Sequence, residues 1–226
     1  MGGDGWQLGV WGTELEGTLA RALASYQVPA DLARIVALAV TAAEAACAGR
    51  EAACGAGCPH CCVLNVAVLL PEASVIAGWL QARQSAEELA ALDARLAAHS
   101  GWGRWMDDEE RIIRQAECPF LDGEGSCAIH PVRPLACRGV ASLDRKSCRQ
   151  AFSPIISDDD RLVPADLLRR AVFDTAFSAL GTALRQCGLD DRSIEVGVGV
   201  RAFLKDPACG ELLAAGKRLP GELWTI

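Results

Sequence analysis

Residues 54–62 carry the sequence Cys-Gly-Ala-Gly-Cys-Pro-His-Cys-Cys (CGAGCPHCC). Four cysteines and one histidine fall within these nine residues, the densest group of soft ligands in the chain. Gly55 and Gly57 allow the positive φ angles of a tightly wound loop. Pro59 disfavours helical geometry at Cys58, the residue before it. The sequence therefore predicts an irregular, thiol-rich loop that interrupts the helical segments on either side.

A second cysteine-rich loop is predicted over residues 118–148. The first loop supplies Cys54, Cys58, Cys61 and Cys62, and the second supplies Cys118, Cys127, Cys137 and Cys148. The turn-forming sequence Asp-Gly-Glu-Gly at 122–125 predicts a small hairpin or knuckle, with Cys118 and Cys127 at its two shoulders. Cys148 is the weakest member of the set, because its neighbours are polar and follow a helical pattern.

The adjacent pair Cys61 and Cys62 limits how the thiols are shared. Neighbouring side chains point to opposite faces of an extended chain and diverge in a helix, so we do not expect both to bind one small ion. Either the pair serves two centres, or it reaches different irons of one cluster, or one of the two is not a ligand. Eight thiols also exceed the four that a tetrahedral ion uses. We therefore expect a polynuclear or two-centre site with ligands from both loops.

Thiolate ligands suit zinc and iron, and their softness argues against calcium and magnesium. Spacing alone leaves the choice between zinc and iron open. We expect His130 and Arg138 to lie behind the ligands and to hydrogen-bond or offset the sulfurs, rather than to bind metal directly. Arg133 could share this charge-offsetting role. We expect His60 to point to solvent and His99 to be a helix cap or surface residue.

The composition of the chain limits the partners and the cellular compartment that such a site would have. The net charge is −7 and the pI is about 5.0, which argues against nucleic acid or an anionic membrane surface as the main partner. The first 20 residues lack the pattern of a secretion signal, and the apolar runs at 35–43 and 63–70 are too short to span a bilayer. We therefore expect a cytoplasmic protein. Cytosolic thiols are mostly reduced, and eleven is an odd number, so metal binding is favoured over a disulfide framework.

The remainder of the chain has helical periodicity and predicts a mainly α fold. Helical patterns cover 13–53 with a break at Pro29, a segment opened by Pro71, 87–98, a segment opened by Asp107, and 164–187. Residues 194–204 are ambiguous between strand and helix, and we expect a helix. We predict one domain over 1–226: a helical arm at 1–53, a cysteine core at 54–148 with a helical insertion at 66–117, and C-terminal helices at 149–226.

Periodicity also predicts which side chains form the core. The inward faces are predicted to carry Leu15, Leu19 and Leu23, then Leu32, Ile35, Leu38 and Ala42, then Val75, Ile76, Trp79 and Leu80, then Leu168, Val172, Thr175, Ala179 and Ala183. Cys47 and Cys187 are expected to be small buried hydrophobic residues. Trp102 and Trp105 are candidates for an exposed interface.

The combined motifs resemble the YkgJ-type cysteine-cluster family. They are Cys54-x3-Cys58-x2-Cys61-Cys62, Cys118-Pro119-Phe120-Leu121, and Cys127-x-Ile129-His130-x2-Arg133-Pro134-x2-Cys137-Arg138. The resemblance covers residues 54–138 and extends to Cys148. It implies a zinc- or iron-chelating domain, and it favours one or two iron–sulfur clusters of the 4Fe–4S type over zinc.

Three classes of function are compatible with these features. The first is an iron–sulfur or other thiolate–iron protein in a redox or cofactor-handling role, which we expect. The alternative is a structural zinc module whose helical arms bind a protein partner. An enzyme remains open, but the sequence has no P-loop, HExxH or GxSxG motif, and VGVGV at 196–200 is far weaker than a dinucleotide fingerprint.

Overall fold

The computed structural model describes residues 7–25, 29–155 and 162–224. The described residues are mainly helical, as predicted. The helices are α1 (Leu8–Ala24), α2 (Pro29–Ala46), α3 (Leu70–Gln81), α4 (Ala86–Trp102), α5 (Asp108–Arg114), α6 (Leu135–Gly139), α7 (Arg145–Ala151), α8 (Leu167–Gln186), α9 (Val196–Lys205) and α10 (Pro207–Ala214). Strands β1 (Ala67–Leu69) and β2 (Ser193–Glu195) form a small antiparallel sheet.

Helices α1 and α2 pack on the long helix α8. Leu15, Leu19 and Leu23 of α1 are buried, as their four-residue spacing predicts. In α2 the prediction for Leu38 is wrong, because 38 % of that residue is exposed. The buried face of α2 instead carries Leu32, Ile35, Val36, Ala39 and Ala43. Residues 26–28, where the break before Pro29 is predicted, lie outside the described residues.

Helix α8 lies within the predicted range 164–187 and places most of the predicted face in the core. Val172, Ala179 and Ala183 are buried there. The prediction for Leu168 is wrong, because 39 % of that residue is exposed at the start of the helix. Asp166 caps this end of α8 by accepting a hydrogen bond from the backbone N–H of Arg169 at 3.0 Å.

Residues 194–204 form a strand and a helix in succession, which explains the mixed signal of their sequence. β2 ends at Glu195, and α9 begins at Val196. Ile194 of β2 pairs with Val68 of β1 in the sheet. The expected helix is therefore present, but the strand was missed, because its partner lies far away in the sequence.

The insertion predicted at 66–117 is largely helical and carries the expected helix starts. Pro71 lies in the first turn of α3. Ser85 caps α4 in a reciprocal arrangement with Glu88, and Asp107 caps α5 by accepting from the N–H of Glu110 at 2.8 Å. Across the described ranges, no helix combines the length and apolar character needed to cross a membrane.

The second cysteine-rich segment is anchored in the hydrophobic core. Phe120, Ile129 and Leu135 of the second segment are 1 %, 3 % and 0 % exposed and belong to the same core cluster as α1, α2 and α8. Cys47 is also buried there, as predicted, whereas Cys187 is only partly buried. The thiols of the second segment are therefore carried on chain that is fixed by core packing.

Candidate metal centre

The first cysteine loop is irregular up to Pro59 and then forms one short 3-10 turn, His60–Val63. Gly57 has φ +69°, a conformation that favours glycine. The N–H of Cys62 donates to the carbonyl oxygen of Pro59 at 2.8 Å, which closes the turn. The predicted loop is therefore present, and its last two cysteines lie on a tight turn rather than on extended chain.

The second segment contains the predicted knuckle. Leu121 and Cys127 form an isolated antiparallel bridge. Between them the Asp122 carboxylate accepts hydrogen bonds from the backbone N–H groups of Glu124 and Ser126, at 3.0 and 2.8 Å. Beyond the knuckle, α6 carries Cys137 and α7 carries Cys148.

Hydrogen bonds join the two segments directly at their cysteines. The N–H of Cys118 donates to the carbonyl oxygen of Cys62 at 2.7 Å. On the other side, the N–H of Ser142 donates to the Sγ atom of Cys54 at 3.4 Å, and the N–H of Ala53 donates to the carbonyl oxygen of Ser142 at 2.8 Å. The thiols of both segments therefore lie in one region of the molecule.

Several of the thiols lie close enough to affect one another's pKa values. The pKa of Cys137 is raised, mainly by burial and then by the negative charges of Cys118, Cys61 and Cys127. Burial raises the pKa of Cys118 to about 12, and the charge of Cys127 adds to the rise. Cys62 is hydrogen-bonded to Cys61, and its pKa is raised by this bond, by burial and by the charges of Cys61, Cys118 and Cys137.

Cys148 belongs to the same region, although the sequence marked it as the weakest candidate. The residue is 8 % exposed, and burial raises its pKa. The negative charges of Cys54, Cys61 and Cys58 raise this pKa further. Each of the eight predicted cysteines therefore lies close enough to at least one other to affect its pKa, and Cys61 affects the pKa values of both Cys148 and Cys137.

Two arginines, Arg133 and Arg138, act on the thiols from the side of α6. The charge of Arg133 lowers the pKa values of Cys61, Cys127 and Cys137, against the larger effect of burial on the last two. Arg133 Nη2 also donates to the carbonyl oxygen of Cys137 at 2.7 Å. The sequence suggested a charge-offsetting role for Arg133 as for Arg138, because nothing in the motif shows which arginine faces the sulfurs.

Arg138, the arginine predicted to lie behind the ligands, has mainly a structural role here. Its Nε donates to the carbonyl oxygen of Arg133 at 2.8 Å, and its Nη2 donates to that of Pro131 at 3.0 Å. Its charge lowers the pKa of Cys127, although burial raises that pKa overall. Arg169 lies behind Arg138, pairs with Glu44 at 3.0 Å and donates to the carbonyl oxygen of Arg138.

The histidines of the motif lie at the edge of the cluster. His130 is exposed and opens the 3-10 turn His130–Val132. Partial burial and the charges of Arg133 and Arg138 lower the pKa of His130. His60 is half-buried, and burial and Arg145 lower its pKa as well. Both rings are therefore neutral at pH 7 and able to donate and accept hydrogen bonds at the rim of the thiol cluster.

A buried polar group borders the cluster and was missed by sequence reasoning. His99, predicted to be a cap or surface residue, is only 4 % exposed, so that prediction is wrong. Its Nδ1 lies 3.9 Å from Glu195 Oε1, and Nη2 of Arg111, itself 2 % exposed, lies 3.8 Å from the same oxygen. The charges of Glu195 and Arg111 both act on Cys118. β2 carries Glu195 to this place, so the group depends on a long-range pairing.

Two small cavities lie near the thiol region. One of about 150 Å³ is lined by α2, α3 and the segment containing Arg133 and Arg138. The other, of about 220 Å³, is lined in part by Glu195, Trp105 and Trp224. Pockets for drug-sized ligands usually have volumes of about 300–1,000 Å³, so neither cavity argues for a large organic substrate.

The chemistry of the donors fits a soft metal centre. Thiolates are the ligands that zinc and iron–sulfur centres use, and nearby arginines reduce the repulsion among several thiolates. Buried thiols with raised pKa values hold protons that a metal displaces on binding. Among the described residues, no three Cys, His, Asp or Glu side chains already stand around one point as a metal-binding group. We therefore expect the neighbouring thiols to change rotamer when a metal binds.

The comparison with protein families agrees with this donor set. No curated protein and no solved structure matches the chain. The matching family model covers somewhat less than half of the 226 residues and includes all eight predicted cysteines. The resemblance to a cysteine-cluster family is thereby confirmed. Residues 53–153 match the family described as “CxxCxxCC: Putative zinc- or iron-chelating domain”, and this match supports metal binding through the cysteines of that segment.

Proposed function

We propose that the cysteine cluster holds iron in an iron–sulfur centre and serves a redox or cofactor-handling role. The observation that carries this proposal is the direct joining of the two cysteine-rich segments, through the hydrogen bonds from the N–H of Cys118 to the carbonyl oxygen of Cys62 and from the N–H of Ser142 to Cys54 Sγ. A structural zinc ion uses four ligands. Iron–sulfur clusters are also held by sets of four thiolates, so eight thiols suit one or two of them.

The solvent exposure of part of the cluster supports a role in which it transfers electrons to or from a partner. Cys54 is exposed, and Cys58 is half-exposed, whereas Cys148 behind them is buried. Such a cluster supplies one-electron transfer when bound, and its potential depends on nearby charge and on solvent access. Arg133 provides charge on the buried side. We propose that a protein partner approaches the exposed side, in a cytoplasmic setting where the thiols stay reduced.

A structural zinc module is the second candidate, and the linkage between segments favours it. The thiols lie on the first loop, the knuckle, α6 and α7, so an ion bound among them would fasten these four short elements together. Small elements with little core of their own are the ones that structural zinc stabilises. In this case metal removal would unfold the segment, and iron would be absent.

The experiment that separates these functions is anaerobic purification with an absorbance spectrum and analysis of iron, sulfide and zinc on one sample. We expect broad visible absorption with iron and sulfide in equal amounts. Cys137→Ser should lower both, whereas Cys187→Ser, which lies outside the cluster, should not. A colourless protein that contains zinc and no sulfide, even after reconstitution with iron and sulfide, would contradict the iron proposal and support the structural module.

A further inference from the structure

We propose that the cavity between α2, α3 and residues 131–138 binds a small organic acid. The carboxylate of the acid would lie on Arg133 and Arg138, and its short alkyl chain would lie against the two helices. The cavity has a volume of about 150 Å³, and no cysteine of the described chain lines it. The site therefore takes a different ligand from the thiols and does not depend on the proposed iron function.

Much of the cavity wall is apolar. Helix α2 contributes Val36 and Val40, α3 contributes Val75, and the turn His130–Val132 contributes Val132. Apolar walls favour an alkyl chain over water. Pockets for drug-sized ligands usually have volumes of about 300–1,000 Å³, so this smaller cavity suits an acid with a short chain.

The polar part of the wall carries two guanidinium groups. Arg133 and Arg138 both line the cavity, and Nε of Arg138 donates to the carbonyl oxygen of Arg133 at 2.8 Å, which holds the two residues together. Burial lowers the pKa of Arg138, and the positive charge of Arg133 lowers it further. The two like charges therefore repel each other in a partly buried place, and a bound anion would offset this repulsion.

The acidic side chains nearby leave this pair incompletely neutralised. Glu44 lies 3.5 Å from Nη1 of Arg138, but both of its oxygens accept from Nη2 of Arg169 at 3.0 Å. Glu72 also lines the cavity, yet its two oxygens accept from backbone N–H groups at 3.0 and 2.8 Å. Burial raises the pKa of Glu72 to about 7, so this residue carries only part of a negative charge at neutral pH.

The two arginines also have donor capacity that the described chain leaves unused. Nε of Arg133 is buried without a hydrogen-bond partner among the described residues, whereas its Nη2 donates to the carbonyl oxygen of Cys137 at 2.7 Å. The 3.5 Å contact of Arg138 Nη1 with Glu44 is longer than a normal hydrogen bond. Since a buried donor without a partner is costly and guanidinium–carboxylate bonds are strong, a carboxylate is the acceptor that this pair favours.

Isothermal titration calorimetry of the full-length, metal-containing chain with pentanoate tests the site. Acetate carries the same charge without the longer chain, and pentanamide carries the same chain without the charge. We expect saturable binding of pentanoate, weaker binding of acetate and no binding of pentanamide. The metal content of every sample is measured alongside.

Two variants separate the apolar wall from the charge. Ala37→Phe fills the cavity from an exposed position of α2 and should abolish pentanoate binding, whereas Ala45→Phe, exposed on the same helix outside the cavity, should leave it unchanged. Arg133→Gln should weaken pentanoate binding about tenfold or more, because a charged hydrogen-bond donor is lost. Arg170→Gln, which removes an exposed charge on α8, is its control. Circular dichroism verifies the helix content of each variant.

Several results would overturn the proposal. A wild-type chain that does not bind pentanoate would do so directly. Equal affinities of Ala37→Phe and the wild type would place the acid elsewhere, for example on the bound metal. Equal affinities for pentanoate and pentanamide, or an unchanged affinity in Arg133→Gln, would show that the arginines do not recognise the charge. Equal affinities for pentanoate and acetate would show that the valines do not contact the chain. The iron proposal is decided by the metal analysis alone, so either proposal can fail while the other stands.

Discussion

The backbone N–H of Cys118 donates a 2.7 Å hydrogen bond to the carbonyl oxygen of Cys62. The two residues are separated in sequence by β1 and helices α3, α4 and α5. This bond places the start of the knuckle directly against the end of the first cysteine loop. A metal bound here would therefore join segments that the rest of the fold already brings together, and its loss should loosen a limited region before the whole molecule.

Arg133 should control how tightly the cluster holds metal. Replacing it in Arg133→Gln removes a positive charge that acts on Cys61, Cys127 and Cys137. Changes of this kind behind metal ligands typically weaken metal binding about 10–100-fold, and we expect a loss in this range. Competition with a chelator measures it. Arg170→Gln on α8, whose partner is Asp174, should leave the affinity unchanged.

Equal metal retention by Arg133→Gln and the wild type would contradict this role. Arg133→Lys keeps the charge but loses the planar guanidinium that donates to the carbonyl oxygen of Cys137. Its metal affinity should therefore lie between those of the wild type and Arg133→Gln.

His99 should make the protein less stable in acid. Burial lowers the pKa of His99 to about 4, whereas an unfolded chain has its ordinary value near 6.5. Between these values the unfolded state binds the proton first, so the free energy of unfolding should fall as the pH drops from 6.5 to 4, by about 3 kcal/mol. His99→Phe preserves a ring against Trp102 and should flatten this slope in urea titrations at several pH values.

An unchanged slope in His99→Phe would show that other groups cause the acid sensitivity. The comparison is meaningful only as a difference between variant and wild type, because carboxylates titrate over the same range.

Glu72 should have the opposite effect to His99 and make the protein less stable as the pH rises. It is 2 % exposed, and burial raises its pKa to about 7, although hydrogen bonds from the N–H groups of Leu135 and Leu69 oppose the rise. From pH 4.5 to 7 the unfolded state loses its proton first, so this residue should lower the free energy of unfolding as pH rises, by about 3 kcal/mol in all. Glu72→Gln should remove that slope, measured by chemical denaturation.

The matched control for this change is Glu109→Gln, since Glu109 is exposed in the first turn of α5. Glu72→Gln also loses one acceptor for a buried N–H group, which lowers stability at every pH by about 1–3 kcal/mol. A variant that is less stable throughout but keeps the wild-type slope would show that Glu72 does not titrate in this range.

Gly199 should be required for close packing of α9. A Cβ atom at this position would lie 2.6 Å from Ile194 Cγ2 and 3.1 Å from Ala73 Cβ. Gly199→Ala should therefore lower the free energy of unfolding by about 1–3 kcal/mol. Gly78→Ala in α3, where nothing lies within 4 Å, should raise it by about 0.5–1 kcal/mol. Urea denaturation of both variants tests the contrast, and a stable Gly199→Ala would contradict it.

Much of the site could be predicted because its signals are local. Pro59 and the glycines of the first loop specify a break in helix within a few residues, and the Asp122 turn specifies a knuckle in the same way. Helix periodicity likewise indicated the buried leucines of α1. It misplaced Leu38, because several apolar residues of α2 compete for the inward face and packing against α8 selects among them.

The amino-acid sequence by itself determined the thiol inventory, the helical character of the chain and the turns that present the cysteines. Tertiary structure decided which thiols are neighbours, that Arg133 faces them, and that Glu195 meets His99 and Arg111. The physical reason is the distance along the sequence over which each kind of interaction acts. Turn and helix preferences depend on residues within about four positions, whereas the pairing of β1 with β2 and the attachment of α7 to the first loop depend on groups far apart in sequence, which only packing of the core brings together.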